Sequence, residues 1–354
     1  MRHPHEVQRR TLSELLSRGA ATDFGRRYDV GLMESVEDFQ SGVPLSDYDS
    51  FSGYVRQMLD GCRDVTARGR VRLFARSSGT TSDRSKYIPV TRRALWNDHL
   101  RGMRDVVTLY LAACPDSKIL DGKTLTLGGT CSSRNGVTTG DLSALLMLET
   151  RMAGGWFRLP RTETALMAGF DEKVERICRE CTREHVTSFA GVPSWNLAMM
   201  RRVLEYTGHS DLHEVWPGLE LFVHGGMGFA PYRKAFGEMF PSGDIRYMET
   251  YNASEGFFAI ADDLSRNDML LMLDYGTFYE FRDGRTVVPL EGVECGRSYA
   301  MIITSSNGLW RYELGDTVEF TSTSPYRIRI TGRTRQFINV FGEELILDNA
   351  ERAV

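Results

Sequence analysis

The sequence predicts an α/β protein, a large N-terminal domain of two helix-flanked sheets with a small β-rich subdomain attached. Three observations predict it. Up to residue 256, short strand-like segments alternate with longer segments of helical period, the pattern of parallel sheets covered by helices. Beyond 256 the helical period gives way to successive short strands separated by turn residues. The chain has 354 residues, too many for one minimal core and enough for one large domain or two ordinary ones. The expected division is 1–256 for the helix-flanked sheets, 257–336 for the β-rich subdomain, and 337–354 as a hinge.

In order along the chain, residues 11–16 read as helix and 43–48 as a loop with its own capping signals. Residues 71–75 are strand-like and run into a turn rich in Ser, Thr and Gly. A long amphipathic helix is expected over 91–113, capped by Thr91 and stopped by Pro115. A strand at 124–127 leads into Gly128-Gly129-Thr130, and 130–139 reads as a hydroxyl-rich loop. Helices follow near 142–152 and 171–184, then a strand at 186–190 and a helix at 194–206 after Pro193. A buried-type strand at 219–223 ends in His224-Gly225-Gly226. The later strands are expected at 257–260, 270–273, 278–282, 299–304, 317–321 and 326–330.

Composition narrows the class. The residues are 42% hydrophobic and 25% charged, which is globular and neither collagen-like nor disordered. The net charge of -4 lacks the basic excess of a nucleic-acid binder, and the arginines near the N-terminus and over 68–76 read as solvated surface. No apolar run reaches the length of a membrane span, and the N-terminus lacks the apolar stretch of a signal peptide. Six scattered cysteines make no disulfide framework, so a cytoplasmic protein is expected. Cys178 and Cys181 have CxxC spacing but no second pair, and His209 and His213 flank a turn; both pairs read as ordinary positions.

The chemistry concentrates in residues 76–89, which leave a strand and precede a helix. Ser77, Ser78, Thr80 and Thr81 offer hydroxyls, Gly79 lets the backbone approach an anion, and Arg84 and Lys86 add positive charge. This is a polyphosphate cradle distinct from the GxxxxGK[ST] loop. Such a run alone is common in surface loops. Its weight comes from three segments downstream. Thr250-Tyr251-Asn252-Ala253-Ser254-Glu255-Gly256 comes after a strand, then Gly315-Asp316 between strands, then Gly332-Arg333 ahead of Phe341-Gly342-Glu343-Glu344. Transfer of a carboxylate onto the α-phosphorus of ATP needs cations and hydroxyls on the departing pyrophosphate. It also needs Mg²⁺ held by an acid, and a carboxylate to fix the ribose.

In that order, the parts resemble those of the adenylate-forming enzyme superfamily. Within it, the sequence resembles the acyl acid amido synthetases, the auxin-responsive Gretchen Hagen family of plants with its bacterial relatives. The segments that carry the likeness include residues 22–25, 43–48, 77–89, 191–195, 216–220, 224–232, 251–256 and 308–312. The resemblance implies ATP-dependent formation of an acyl-adenylate, then transfer of the acyl group to the amine of an amino acid. The small-molecule partners are then an acyl acid and an amino acid, with neither nucleic acid nor membrane involved. Carried over residue by residue, it places phosphates on Ser77, Ser78, Gly79, Thr80 and Thr81, with Lys86 beside them. Gly225 and Gly226 would line the adenine pocket, with Tyr251 near the base. Asp316 would grip the ribose, Glu255 would serve Mg²⁺, and Arg333 would act near the hinge. Trp195 and Thr130 are candidates for the substrate side. His224 precedes the adenine-side glycines and is more structural than catalytic. Family members carry a further C-terminal domain, so the chain is expected to be the N-terminal part, and the region of Glu343-Glu344 lacks the hinge lysine of the plant enzymes.

Overall fold

The computed structural model describes residues 3–77, 85–151, 156–334, 337–340 and 343–346, the last two stretches as backbone. Ser78, Gly79, Thr80 and Thr81, expected to bind phosphates in a phosphate loop, lie outside the described residues.

The N-terminal helix Pro4–Gly19 is longer than the sequence suggests, because Pro4 at its first turn is preorganised for helix entry. Helix Val36–Gly42 follows a capping box between Ser35 and Asp38, and helix Tyr48–Leu59 is capped by Asp47. Strands β1 (Leu73–Ser77) and β2 (Lys86–Val90) pair antiparallel on either side of the phosphate loop. As expected, the Thr91 hydroxyl caps the next helix by accepting from Ala94 N–H. That helix is not uniform: a π-turn over Leu95–His99 precedes the regular stretch Leu100–Ala113.

Next come β3 (Lys123–Thr126), β4 (Cys131–Arg134) and β5 (Val137–Gly140). The stretch read as a hydroxyl-rich loop is therefore a hairpin. Asn135 and Gly136 turn it with φ of 53° and 74°, the backbone that a two-residue primed turn requires. Then follow β6 (Arg158–Leu159), β7 (Val186–Gly191), β8 (Leu221–Gly225), β9 (Arg246–Ala253) and β10 (Gly256–Ile260). The remaining long strands are β11 (Met269–Leu271), β12 (Thr277–Asp283), β13 (Thr286–Pro289), β14 (Ser298–Ser305), β15 (Tyr312–Thr323) and β16 (Tyr326–Arg333). Phe337–Val340 and Glu343–Ile346 form a separate antiparallel pair.

Two sheets position the site. A four-stranded sheet runs in the order β2-β1-β5-β4, and a twelve-stranded sheet in the order β13-β12-β14-β15-β16-β11-β10-β9-β8-β7-β3-β6. In the larger one, β6, β3, β7, β8 and β9 are mutually parallel, whereas every pairing from β9 to β13 through β10 is antiparallel. Strands beyond residue 257 thus continue the parallel sheet edge to edge. The pairing changes from parallel to antiparallel at β9, and open α/β sheets bind ligands outside the carboxyl ends of their parallel strands. One apolar core joins the N-terminal helices, the smaller sheet and the antiparallel half, and a second fills the helix-covered parallel half.

The Trp310-Arg311-Tyr312 stretch holds the N-terminal helices to the large sheet. Trp310 stacks on Phe24 at 5.3 Å and donates its indole N–H to the Thr66 carbonyl. Arg311, buried and at φ 43°, makes two hydrogen bonds to Glu280, at 2.9 and 3.0 Å, and donates to the Gln40 and Val43 carbonyls. Tyr312 bridges to Ser46. Among the described residues, no helix is long and apolar enough to cross a membrane.

Candidate functional site

The carboxyl ends of β8 and β9 form the floor. Gly225 lies in parallel register with Thr250, and a Cβ at Gly225 would stand 2.4 Å from the Thr250 carbonyl oxygen, so only glycine fits this approach. Gly226 follows, exposed, with φ of 81°. One residue beyond Thr250, Tyr251 is buried and donates its phenol to Asp316 Oδ2 at 2.7 Å. Asp316 Oδ1 meets Arg333 Nε at 3.1 Å, an ion pair that links cross-strand partners of β15 and β16.

The sequence places Asp316 in a turn; the structure places it inside β15. Gly315, at φ 88°, kinks the strand without ending it. That kink is what glycine's permissive backbone supplies.

Glu255 occupies the two-residue turn between β9 and β10. Burial pushes its carboxyl up to about 7, and the neighbouring Asp316 adds to the rise while Lys86 and Arg333 oppose it. The Tyr251 phenol is raised far above its ordinary value, first by burial and then by Asp316. Glu255, Lys86, Tyr251, Asp316 and Arg333 are therefore one electrostatic neighbourhood, assembled from β2, β9, the following turn, β15 and β16. Ser77 and Lys86 pair across β1 and β2, and Lys86 brings the end of that ladder into the same neighbourhood.

Three residues missed at the sequence level support this cluster. Tyr48 lies under the Lys86 ammonium, 5.7 Å from its ring centroid, and its hydroxyl accepts from Tyr87 N–H at 2.8 Å. Asn307, fully buried, donates to the Glu255 carbonyl at 3.0 Å and accepts from Thr91 N–H at 3.0 Å. Asp98, buried on the π-turn, accepts from Phe257 N–H at 2.8 Å. The chain at Glu255 and Phe257 is thus tied, through Asn307 and Asp98, to the segment that follows the Lys86 strand. The residue types alone signalled none of this: Asn307 reads as a turn former in Ser306-Asn307-Gly308, and Asp98 as a polar helix position.

Trp195 and Thr130 are not drawn into the cluster. Trp195 is exposed and packs against Phe170 at 4.7 Å. Thr130 is held by Asp141, which accepts its N–H, and its hydroxyl lies 3.5 Å from an Arg76 guanidinium nitrogen at the end of β1. His224 is buried against Phe229 with Nδ1 unpartnered, and burial lowers its pKa to about 4, so it is neutral near pH 7. Cys178 and Cys181 are buried in the core beside helix Pro193–Thr207.

Lysine, arginine and a carboxylate pair meet at the end of a sheet that changes direction, and the fold that holds them is one shared with solved adenylate-forming enzymes. Superposition bears on this directly. The acyl acid amido synthetase GH3.15 aligns with a TM-score of 0.78 at 17% identity, covering 99% of this chain and 71% of that one. A 2-hydroxyisobutyryl-CoA ligase aligns with a TM-score of 0.66 at 16% identity, covering 98% of this chain and 72% of the other. Residues 1–156 match the GH3 family N-terminal domain and residues 270–333 the GH3 family central domain, so that together they take in most of the chain. The chain belongs to the GH3 family. It is 22% identical to the indole-3-acetic acid-amido synthetase GH3.4 of Arabidopsis thaliana over 90% of its own length, and it spans 65% of that relative.

Proposed function

We propose that the chain binds ATP and adenylates a carboxylic acid, and that the acyl group then passes to the amine of an amino acid to form an amide. The observation that carries the reading is the joined set Tyr251–Asp316–Arg333 with Glu255 and Lys86, at the carboxyl end of β9. The relatives named as amido synthetases support it. In this reading the cytoplasm is the site of action, the chain divides near 256/257 and 336/337, and 337–354 is a hinge.

The roles follow from chemistry. Ser77 with the loop residues Ser78, Gly79, Thr80 and Thr81 binds the phosphates, and Lys86 neutralises charge on the departing pyrophosphate. Gly225 and Gly226 leave room for the adenine, and Asp316 accepts from the ribose hydroxyls. Arg333 holds Asp316 in place. The acid's carboxylate oxygen attacks the α-phosphorus, and the bond to pyrophosphate breaks. Positioning and charge stabilisation suffice, with no covalent protein nucleophile. A Mg²⁺ fits Glu255: it is a hard oxygen donor beside a cationic and hydroxyl-bearing mouth, and Mg²⁺ is commonly bound by one or two carboxylates together with substrate phosphates. When bound, it would supply charge neutralisation on the polyphosphate.

The test measures acid-dependent exchange of pyrophosphate into ATP, followed by AMP release with each candidate acceptor. Release that depends on an amino acid supports the proposal. Release that depends on coenzyme A and ignores amino acids replaces it with an acyl-CoA ligase. Binding of ATP with no exchange under any acid leaves an inert nucleotide-binding module.

Glu255 makes the reading pH-dependent. Only its ionised form serves a cation, so Mg-ATP affinity is expected to rise as pH passes upward through about 7, and Glu255→Gln is expected to flatten that dependence. Calorimetric titration across this range checks it. Stability runs the other way. The contribution of the neutral carboxyl is complete below 4.5, the ordinary value, and is lost as pH rises through about 7.

Asn307→Ala is expected to cost about 2 kcal/mol of stability in urea unfolding, since two buried hydrogen bonds are lost. It should also weaken Mg-ATP binding several-fold. Unchanged binding would mean that the Glu255 turn keeps its geometry without that tie.

A further inference from the structure

A cavity of about 890 Å³ opens at the other end of the β1–β2 ladder. Leu73 and Val90, which pair across the two strands, line it, whereas Ser77 and Lys86 at the opposite end flank the phosphate loop. Four residues of extended strand separate the two ends, about 13 Å.

The lining is strongly cationic. Six arginines face the cavity, from the end of the N-terminal helix (Arg18), the segment entering β1 (Arg68, Arg70 and Arg72) and the segment following β2 (Arg92 and Arg93), against a single carboxylate, Glu149. Arg93 is paired with Glu14, and Arg70 donates to the Asn135 carbonyl. Among the described residues, Arg18, Arg68, Arg72 and Arg92 have no carboxylate partner. The Ser133 and Thr138 hydroxyls, bonded to each other at 2.8 Å, leave one donor at the lining, and Trp96, 52% exposed, stands there too. In a chain of net charge -4, this convergence of unneutralised guanidinium groups on one concavity is a local excess.

We propose that this cavity is a second anion site that takes a small, multiply charged phosphate compound. Guanidinium forks match phosphate oxygens in bidentate geometry, and one anion would relieve the mutual repulsion of several arginines at once. The volume is that of a small-molecule pocket. The arginines converge on a hollow rather than tracking a stripe, which favours a compact anion over a nucleic-acid strand.

The test uses tripolyphosphate at fixed ionic strength, titrated into the Lys86→Ala chain, so that binding at the phosphate loop is weakened. Saturable binding is expected, and Arg68→Ala/Arg72→Ala in the same background should weaken it at least tenfold without lowering the melting temperature. Arg201→Ala/Arg202→Ala, on an exposed helix face away from the cavity, should leave it unchanged. Absence of binding, or equal binding after the Arg68 and Arg72 substitutions, overturns the proposal. So does equal loss with the Arg201 and Arg202 pair, or a preference for a single-stranded oligonucleotide with affinity growing with strand length. Failure of the adenylation reading shows elsewhere, as absence of acid-dependent pyrophosphate exchange by the unsubstituted chain, and leaves these outcomes unaffected.

Discussion

Arg311→Ala is expected to destabilise the chain by about 3–5 kcal/mol, the largest single effect anticipated outside the ligand site. Both Arg311 and Glu280 are buried, with side chains 6% and 1% exposed, and two direct bonds join them. Removing the guanidinium leaves the Glu280 carboxylate without its countercharge, and the Gln40 and Val43 carbonyls without a donor. Alanine and arginine both carry a Cβ, so the left-handed backbone at φ 43° burdens them alike and does not account for the loss. Urea unfolding measures it. Arg311→Met combined with Glu280→Leu should recover part of the stability by removing the stranded charge, while the Gln40 and Val43 carbonyls and the Gln40 amide stay without their partners. A loss within about 1 kcal/mol for the single variant would show that water reaches Glu280 and that Trp310-Arg311-Tyr312 does not clasp the N-terminal helices to the sheet.

The second large effect is at Asp316. In the proposed site, Asp316→Ala should weaken ATP binding about 100-fold, since charge-assisted hydrogen bonds contribute roughly 1.5–3 kcal/mol. The structure adds a complication, because Asp316 also accepts the buried Tyr251 phenol. Asp316→Ala should therefore also lose about 1–3 kcal/mol of stability, from a phenol left without an acceptor. Tyr251→Phe together with Asp316→Ala removes both members of that bond and should restore stability without restoring affinity. Recovery of ATP binding in the double variant would show that Asp316 matters only as the partner of Tyr251. Calorimetric titration alongside thermal unfolding separates the two outcomes.

The sequence by itself determined the alternation of strands and helices, the change of character after residue 256, and the ordered set of chemical parts. Those signals are local: hydrophobic period, turn residues and caps act within a few residues of one another. Thr91 capped its helix as read, and Glu255, Tyr251 and Asp316 came from their own short motifs. The hairpin around Asn135-Gly136 was equally local, and its turn signal was outweighed by the surrounding hydroxyls. Lys86 and Arg333 were legible as cations but not as neighbours of Glu255, because their proximity spans more than 160 and more than 70 residues of chain. Only the tertiary structure decided that the strands beyond 257 extend the parallel sheet, since edge-to-edge pairing depends on backbone groups that every sequence carries. Only it set Asp316 within a continuous strand, tied the Glu255 turn to Asp98 and Asn307, and drew arginines from three separate segments around one cavity. These are long-range pairings and burials, and their energies depend on partners that no window of sequence contains.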